Sequence, residues 1–145
     1  MPMERDVLID TGPLVAALAK RDNHHQWAVD RLKEIEPPLE TCEAVVTEAA
    51  FLLRGAPGAA DALLALLEEG ILTVRFDLEE QAQAVRALMR RYADQPMSLA
   101  DACLVRLSEI RSGAKILTLD QDFRRYRRLG RKTIPLIAPR AEKSV

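Results

Sequence analysis

Short apolar runs alternate along this chain with longer segments in which apolar residues recur every three or four positions. The first run, Asp6-Val7-Leu8-Ile9, ends at Asp10 and is followed by Thr11-Gly12-Pro13. That order predicts a buried strand, a tight turn and a helix that Pro13 opens at its first position. Leu14, Val15, Ala17 and Leu18 supply the helix's apolar side, and Asp22-Asn23 marks its break. A second helix carries Trp27, Ala28, Leu32 and Ile35 and stops before Pro37-Pro38, whose ring nitrogens have no hydrogen to donate. Leu39-Glu40-Thr41 reads as a second, short strand.

From Glu43 to Leu53 the chain is dense in apolar residues. At helical spacing Glu48 falls with Ala44, Phe51 and Leu52, which predicts a carboxylate on an apolar face rather than a solvent face. Gly55-Ala56-Pro57-Gly58 breaks the segment, and Ala59 to Glu69 forms an apolar helix stopped by Gly70. Ile71 to Val74 is the next strand and Leu78 to Ala93 an amphipathic helix. Ser98 then caps a helix whose apolar side runs through Leu99, Ala102, Cys103, Leu107 and Ile110 and which ends near Ser112-Gly113. Asp101 stands three residues after the cap, where a capping-box acid belongs. Lys115 to Leu119 is a buried strand terminating at Asp120, and Gln121 to Leu129 is short and very basic. Thr133 to Ile137 is a last strand, which Pro135 assigns to an edge, and the tail from Ala138 is expected to fray. Strands alternating with helices, without repeat or linker, predict one α/β domain over residues 1–145, a central parallel sheet covered by helices on both faces.

Composition narrows the class. A chain of 145 residues buries one core and not two. With 48% apolar and 30% charged residues it reads as soluble and globular, and no run approaches the roughly 20 apolar residues of a membrane helix. Met1 to Asp6 shows no signal-peptide pattern. Cys42 and Cys103 lack metal-ligand spacing and fit a reduced, cytoplasmic setting. The net charge of −1 conceals an uneven distribution: residues 121–145 hold eight Lys/Arg against two Asp/Glu, residues 1–120 thirteen against twenty. A basic end on an acidic body suits local binding of a polyanion, and equally self-association.

Four acids stand in places a solvated surface does not explain: Asp10, Glu48, Asp101 and Asp120. Sites in parallel sheets form in the crevice beyond the carboxyl ends of the strands, where Asp10 and Asp120 fall. Asp101 opens a helix whose N-terminus need not face that edge, so a partial turn or extended lead-in would have to bring it there. Plainer roles exist for each. Asp10 can be satisfied by the amides of the following turn, Asp101 by capping its helix, Asp120 by an Asx turn, and Asp122 by capping a short helix. Glu48 resists such a role, because a lone carboxylate on an apolar face costs several kcal/mol, and positions 44, 45, 51 and 52 offer no Lys or Arg. Like charges brought together need a cation, and oxygen ligands without His or Cys favour Mg²⁺ or Mn²⁺ over Zn²⁺.

Taken in order, Val7 to Pro13, Thr47-Glu48-Ala49, Ser98-Leu99-Ala100-Asp101-Ala102 and Leu117 to Phe123 resemble the motifs of PIN-domain ribonucleases, most closely the VapC-type toxins of toxin–antitoxin pairs. The resemblance spans positions 7 to 123. It implies the PIN-like fold, with the acids gathered in one cleft, and Mg²⁺-dependent endonucleolytic cleavage of RNA in which Mn²⁺ can substitute. Asp10, Glu48, Asp101 and Asp120 would be the catalytic residues and metal ligands, with Asp122 the alternative to Asp120. Thr11 and Thr118 would hydrogen-bond a metal-bound water or an acid, if they are more than turn and strand residues. Water attack implies products with 5′-phosphate and 3′-hydroxyl ends. A cognate antitoxin is the implied partner; a PIN-like nuclease of RNA processing, or a catalytically silent binding protein, are the alternatives.

Arg124-Arg125-Tyr126-Arg127-Arg128, followed by Arg131-Lys132, is the segment suited to RNA, with arginines on phosphates and Tyr126 stacked on an unpaired base. A solvated basic face is the other reading. His24-His25 are cap or surface residues, since neighbours on a helix diverge by about 100°. Surplus apolar residues at 43–53 and 59–69 suggest a homodimer face, although core packing accounts for them too. A receiver-like domain would need an acidic pair closing the first strand and a Lys closing a later one, and neither is present. A D-x-D phosphatase is disfavoured because Asp10-Thr11-Gly12 lacks the second acid.

Overall fold

A computed structural model describes residues 2–140 of the chain. Val7–Ile9 forms β1, and all three side chains are buried, as a strand covered on both faces requires. The chain continues through α1 (Thr11–Leu18), α2 (His25–Lys33), β2 (Leu39–Thr41), α3 (Glu43–Leu52), α4 (Ala59–Glu68) and β3 (Leu72–Val74). It returns through α5 (Leu78–Arg91) and α6 (Leu99–Ile110) to β4 (Lys115–Leu117). A 3-10 turn over Gln121–Arg124 leads into a hairpin of β5 (Arg127–Arg128) and β6 (Lys132–Thr133), and β7 (Leu136–Ile137) closes the described chain.

The main sheet has the order β3-β2-β1-β4-β7 and every pairing in it is parallel. The chain therefore steps outward from β1 to β2 to β3, then crosses back over β2 and β1 to lay β4 on the other side. Right-handed crossovers in opposite directions place their helices on opposite faces. Accordingly α1 packs on α2 and α4, α5 packs on α6, and α3 touches α1, α4 and α6. This is the parallel α/β sheet the alternating pattern predicts, with the last strand at an edge, where Pro135 is tolerated: its carbonyl accepts from Ile116 N–H at 2.9 Å. The α4 terminus is also as expected. Gly70, at φ 75°, lets Ile71 N–H reach back to the Leu66 carbonyl and Gly70 N–H to that of Leu67.

Several expectations are corrected. Helix α1 starts at Thr11 with Asp10 as its cap, so Pro13 is the third helical residue and not the first. The strand at 115 ends at Leu117, because the Thr118 hydroxyl turns to accept the Asp120 N–H at 2.9 Å. Residues 133–137 do not form one strand: Thr133 closes the antiparallel hairpin and only Leu136–Ile137 joins the sheet. The apolar face that carries Glu48 is open, with Glu48, Phe51 and Leu52 all exposed, so Glu48 bears no burial cost. Of the tail from Ala138, residues 141–145 lie outside the described part, while the Pro139 carbonyl accepts from Arg124 at 3.0 Å.

Candidate active site

The direction of winding reverses between β1 and β4, and open parallel sheets form their crevice outside the carboxyl ends of the strands at such a switch point. Asp10 follows β1 there and Thr118 follows β4. A helix that joins parallel strands runs antiparallel to them, so α6 delivers its N-terminus, and Asp101 with it, to this same edge. That topological fact removes the need for a partial turn or extended lead-in before Asp101.

Asp10 is only 6% exposed. Its Oδ1 accepts the Thr11 N–H at 2.8 Å and its Oδ2 the Thr118 hydroxyl at 2.7 Å. The same Thr118 oxygen accepts from Asp120 N–H, so one hydroxyl ties both strand ends together. Burial pushes the Asp10 carboxyl up to about 6, against the pull of these two bonds and with added repulsion from Asp101 and Asp120. Asp101 completes a capping box, its N–H donating to Ser98 Oγ at 3.0 Å while its Oδ2 accepts from Ser98 N–H at 3.2 Å. Its pKa is raised by burial first and then by Asp120. Asp120 is raised too, by burial and by Asp122, although its Oδ1 accepts from Asp122 N–H at 2.8 Å. The capping and turn roles considered for these acids are thus real, and they coexist with a cluster of carboxylates that repel one another.

Glu48 reaches this cluster through one residue: the Thr11 hydroxyl donates to its Oε2 at 3.2 Å. Asp122 differs from the others because Arg125 pairs with it. Among the described residues no Lys or Arg forms an ion pair with Asp10, Glu48, Asp101 or Asp120. Nor do any three acids there stand close enough to enclose one ion jointly. Mg²⁺ does not require that, since it keeps several waters and takes one or two carboxylates directly. An all-oxygen donor set lacking a cation, with an oriented carboxylate at its centre, fits such a hydrated ion.

The basic segment departs from expectation. Tyr126 is wholly buried and has no face free to stack on a base; its hydroxyl donates to Asp101 Oδ2 at 3.2 Å. Arg128 bonds the Ser108 and Ser112 carbonyls at 3.2 and 3.1 Å, closing the C-terminal end of α6, and Arg127 bonds the carbonyls of Arg124 and Tyr126. Arg124 and Arg125 are exposed, as are Arg131 and Lys132 on the hairpin. His24 caps α2 without a side-chain bond, and the His25 ring meets the Ala16 carbonyl at 2.7 Å. Two supports had no distinct signal in the sequence. Buried Thr41 donates to the Ile9 carbonyl at 2.7 Å, holding β2 to the end of β1. Gly12 is the other: a Cβ there would meet Leu119 at 3.3 Å, so the first turn of α1 packs directly on the segment leading to Asp120.

A twisted parallel sheet with acids gathered at its switch point is the arrangement of one known class, and the chain belongs to it: the PIN domain family model matches residues 7–129. Among solved structures, the chain is similar to VapC20 of Mycobacterium tuberculosis, a toxin that cleaves the sarcin-ricin loop. The likeness has 23% sequence identity and a TM-score of 0.67, over 80% of this chain and 91% of that one. No curated protein sequence matches it.

Proposed function

We propose that this chain is a divalent-metal-dependent endoribonuclease, the toxin of a toxin–antitoxin pair. The observation that carries the reading is the convergence of Asp10, Asp101 and Asp120 at the sheet's switch point, where none of them forms an ion pair with a Lys or Arg among the described residues and each is raised in pKa by burial and neighbouring carboxylates. Membership of the PIN domain family and the likeness to an RNA-cleaving toxin support it. One or two of Asp10, Asp101 and Asp120 would hold the cation, Mg²⁺ or Mn²⁺, directly and the others through its waters, with Glu48 joined to the set through Thr11. Asp122, neutralised by Arg125, is the weaker ligand. A divalent cation held there would supply an acidified water as nucleophile and offset charge growing on the phosphate oxygens. Thr118 fixes the Asp10 carboxylate in one orientation, and the low-dielectric surroundings of Asp10 strengthen whatever it holds. Exposed Arg124 and Arg125 suit phosphate contact beside the cleft.

A cognate antitoxin and an RNA substrate are the partners this reading requires. A second copy of the chain is suggested by exposed apolar residues on α3 and α4. The test is to incubate RNA with the purified protein in Mg²⁺ or Mn²⁺ and analyse the cut ends. Water attack leaves 5′-phosphate and 3′-hydroxyl ends. Cyclic 2′,3′-phosphate ends, formed when the ribose hydroxyl attacks, would overturn the mechanism.

A further inference from the structure

We propose that Tyr126 is a positioning residue of the acidic centre, whose phenol clamps one oxygen of Asp101 and so fixes which oxygen faces the cleft. The inference rests on the metal-dependent reading above. A capping box alone gives Asp101 one bond, from Ser98 N–H to Oδ2, and that bond draws the carboxylate back toward the start of its own helix. Tyr126, twenty-five residues further along, adds a second donor to the same oxygen at 3.2 Å. Oδ1 accepts no hydrogen bond among the described residues, so it is the oxygen left to face a ligand. With an ordinary pKa near 10, a phenol is a donor at neutral pH.

The ring holding this hydroxyl has little freedom. It is fully buried and meets Tyr92 edge-on at 5.2 Å and Phe123 edge-on at 5.4 Å between centroids. Behind it, the β5–β6 hairpin is fastened to α5 and α6 by hydrogen bonds from several residues. Arg127 N–H donates to the Tyr92 hydroxyl at 2.9 Å, Arg128 binds the end of α6, and Leu129 N–H donates to Glu109 at 2.6 Å. Phe123 and Tyr126 also belong to the stretch that begins with Asp120 and Asp122. The phenol thus ties Asp101, on one element, to the segment bearing the other acids. The basic segment read from the sequence as an RNA arm is, at its buried face, the brace of the site.

Tyr126→Phe keeps the ring and removes only the hydroxyl. Two readouts separate positioning from packing: thermal melting of the metal-free protein, and Mn²⁺ affinity followed by the EPR signal of free Mn²⁺. The metal-free variant should melt close to the parent while its Mn²⁺ affinity falls about tenfold or more, the range found when the support of a metal ligand is removed. The chain has two tyrosines, so a sample labelled with ¹³C at the tyrosine Cζ gives two resonances, and Tyr92→Phe identifies them. On saturation with Mg²⁺ the Tyr126 signal of the parent should shift, a readout that holds even if Tyr126→Phe does not fold. A folded Tyr126→Phe with parental Mn²⁺ affinity, or a Tyr126 resonance indifferent to Mg²⁺, overturns the inference and leaves the nuclease reading standing. A parent that binds no Mn²⁺ overturns both.

Discussion

Asp10 is oriented by two hydrogen bonds that favour its charged form, yet it sits so deep in the crevice that burial outweighs them and lifts its pKa from 3.8 to about 6. Between those values the folded protein holds a proton that the unfolded chain has released. The stability contributed by this group is therefore fully present below about pH 4 and is lost as the pH rises through 6. A shift of that size corresponds to up to about 3 kcal/mol. Asn keeps an oxygen acceptor for Thr11 and serves equally well as a helix cap. In metal-free buffer, the melting temperature of Asp10→Asn relative to the parent should therefore climb by several degrees between pH 4 and pH 7. A constant difference across that range would show that Asp10 is not held in a charge-averse site. At this scale the sequence disclosed which residues are chemically unusual but not their surroundings. Tyr126, read as a surface aromatic among arginines, is part of the core, and Glu48, read as buried, is exposed, because the partners that decide burial lie far away in sequence.

The elements explain more of the site than their motifs did. Position 101 was legible as a capping-box acid from Ser98 and the spacing alone, and the box is present. Its meeting with Asp10 followed instead from the direction of α6 relative to the strands, a consequence of parallel topology that local pattern does not contain. Short apolar runs located β1 and β4 well. The hairpin between Arg127 and Thr133 was not legible, since its residues are basic and lack an alternating apolar face. That hairpin divides the arginines into two kinds. Arg128→Gln should lower the melting temperature, because two carbonyls at the end of α6 are deprived of their donor, while leaving the salt dependence of RNA binding unchanged. Replacing Arg124 and Arg125 by Gln should flatten that dependence by about 0.7 for each phosphate of a single strand that is no longer neutralised. Binding measured from low to high salt decides between them; a flattened slope for Arg128→Gln alone would return it to the RNA surface.

Across the whole molecule, acids collect at one edge of the sheet, and large apolar side chains stand exposed on α3 and α4. Phe51 is 61% and Leu64 57% exposed, and Leu52 lies beside Phe51 in sequence, also exposed. Such large apolar groups in water favour association. We expect the chain to elute as a dimer and Leu64→Glu to elute as a monomer with unchanged helical content; a parent that is monomeric at micromolar concentration would refute that expectation. The fold class was legible because alternation of strands and helices permits few arrangements, whereas a surface that seeks a partner looks, in sequence, like one that builds a core. The proposed function has the acids at the switch point hold a divalent ion with which the chain cuts RNA. Its most direct test is a Mg²⁺ titration of RNA cleavage by the parent, Asp10→Asn, Glu48→Gln and Asp101→Asn. The parent should cleave only with Mg²⁺ or Mn²⁺ and fall silent in EDTA, and each variant should be slower by about a hundredfold or more; full activity in EDTA, or an Asp10→Asn variant as fast as the parent, would contradict it.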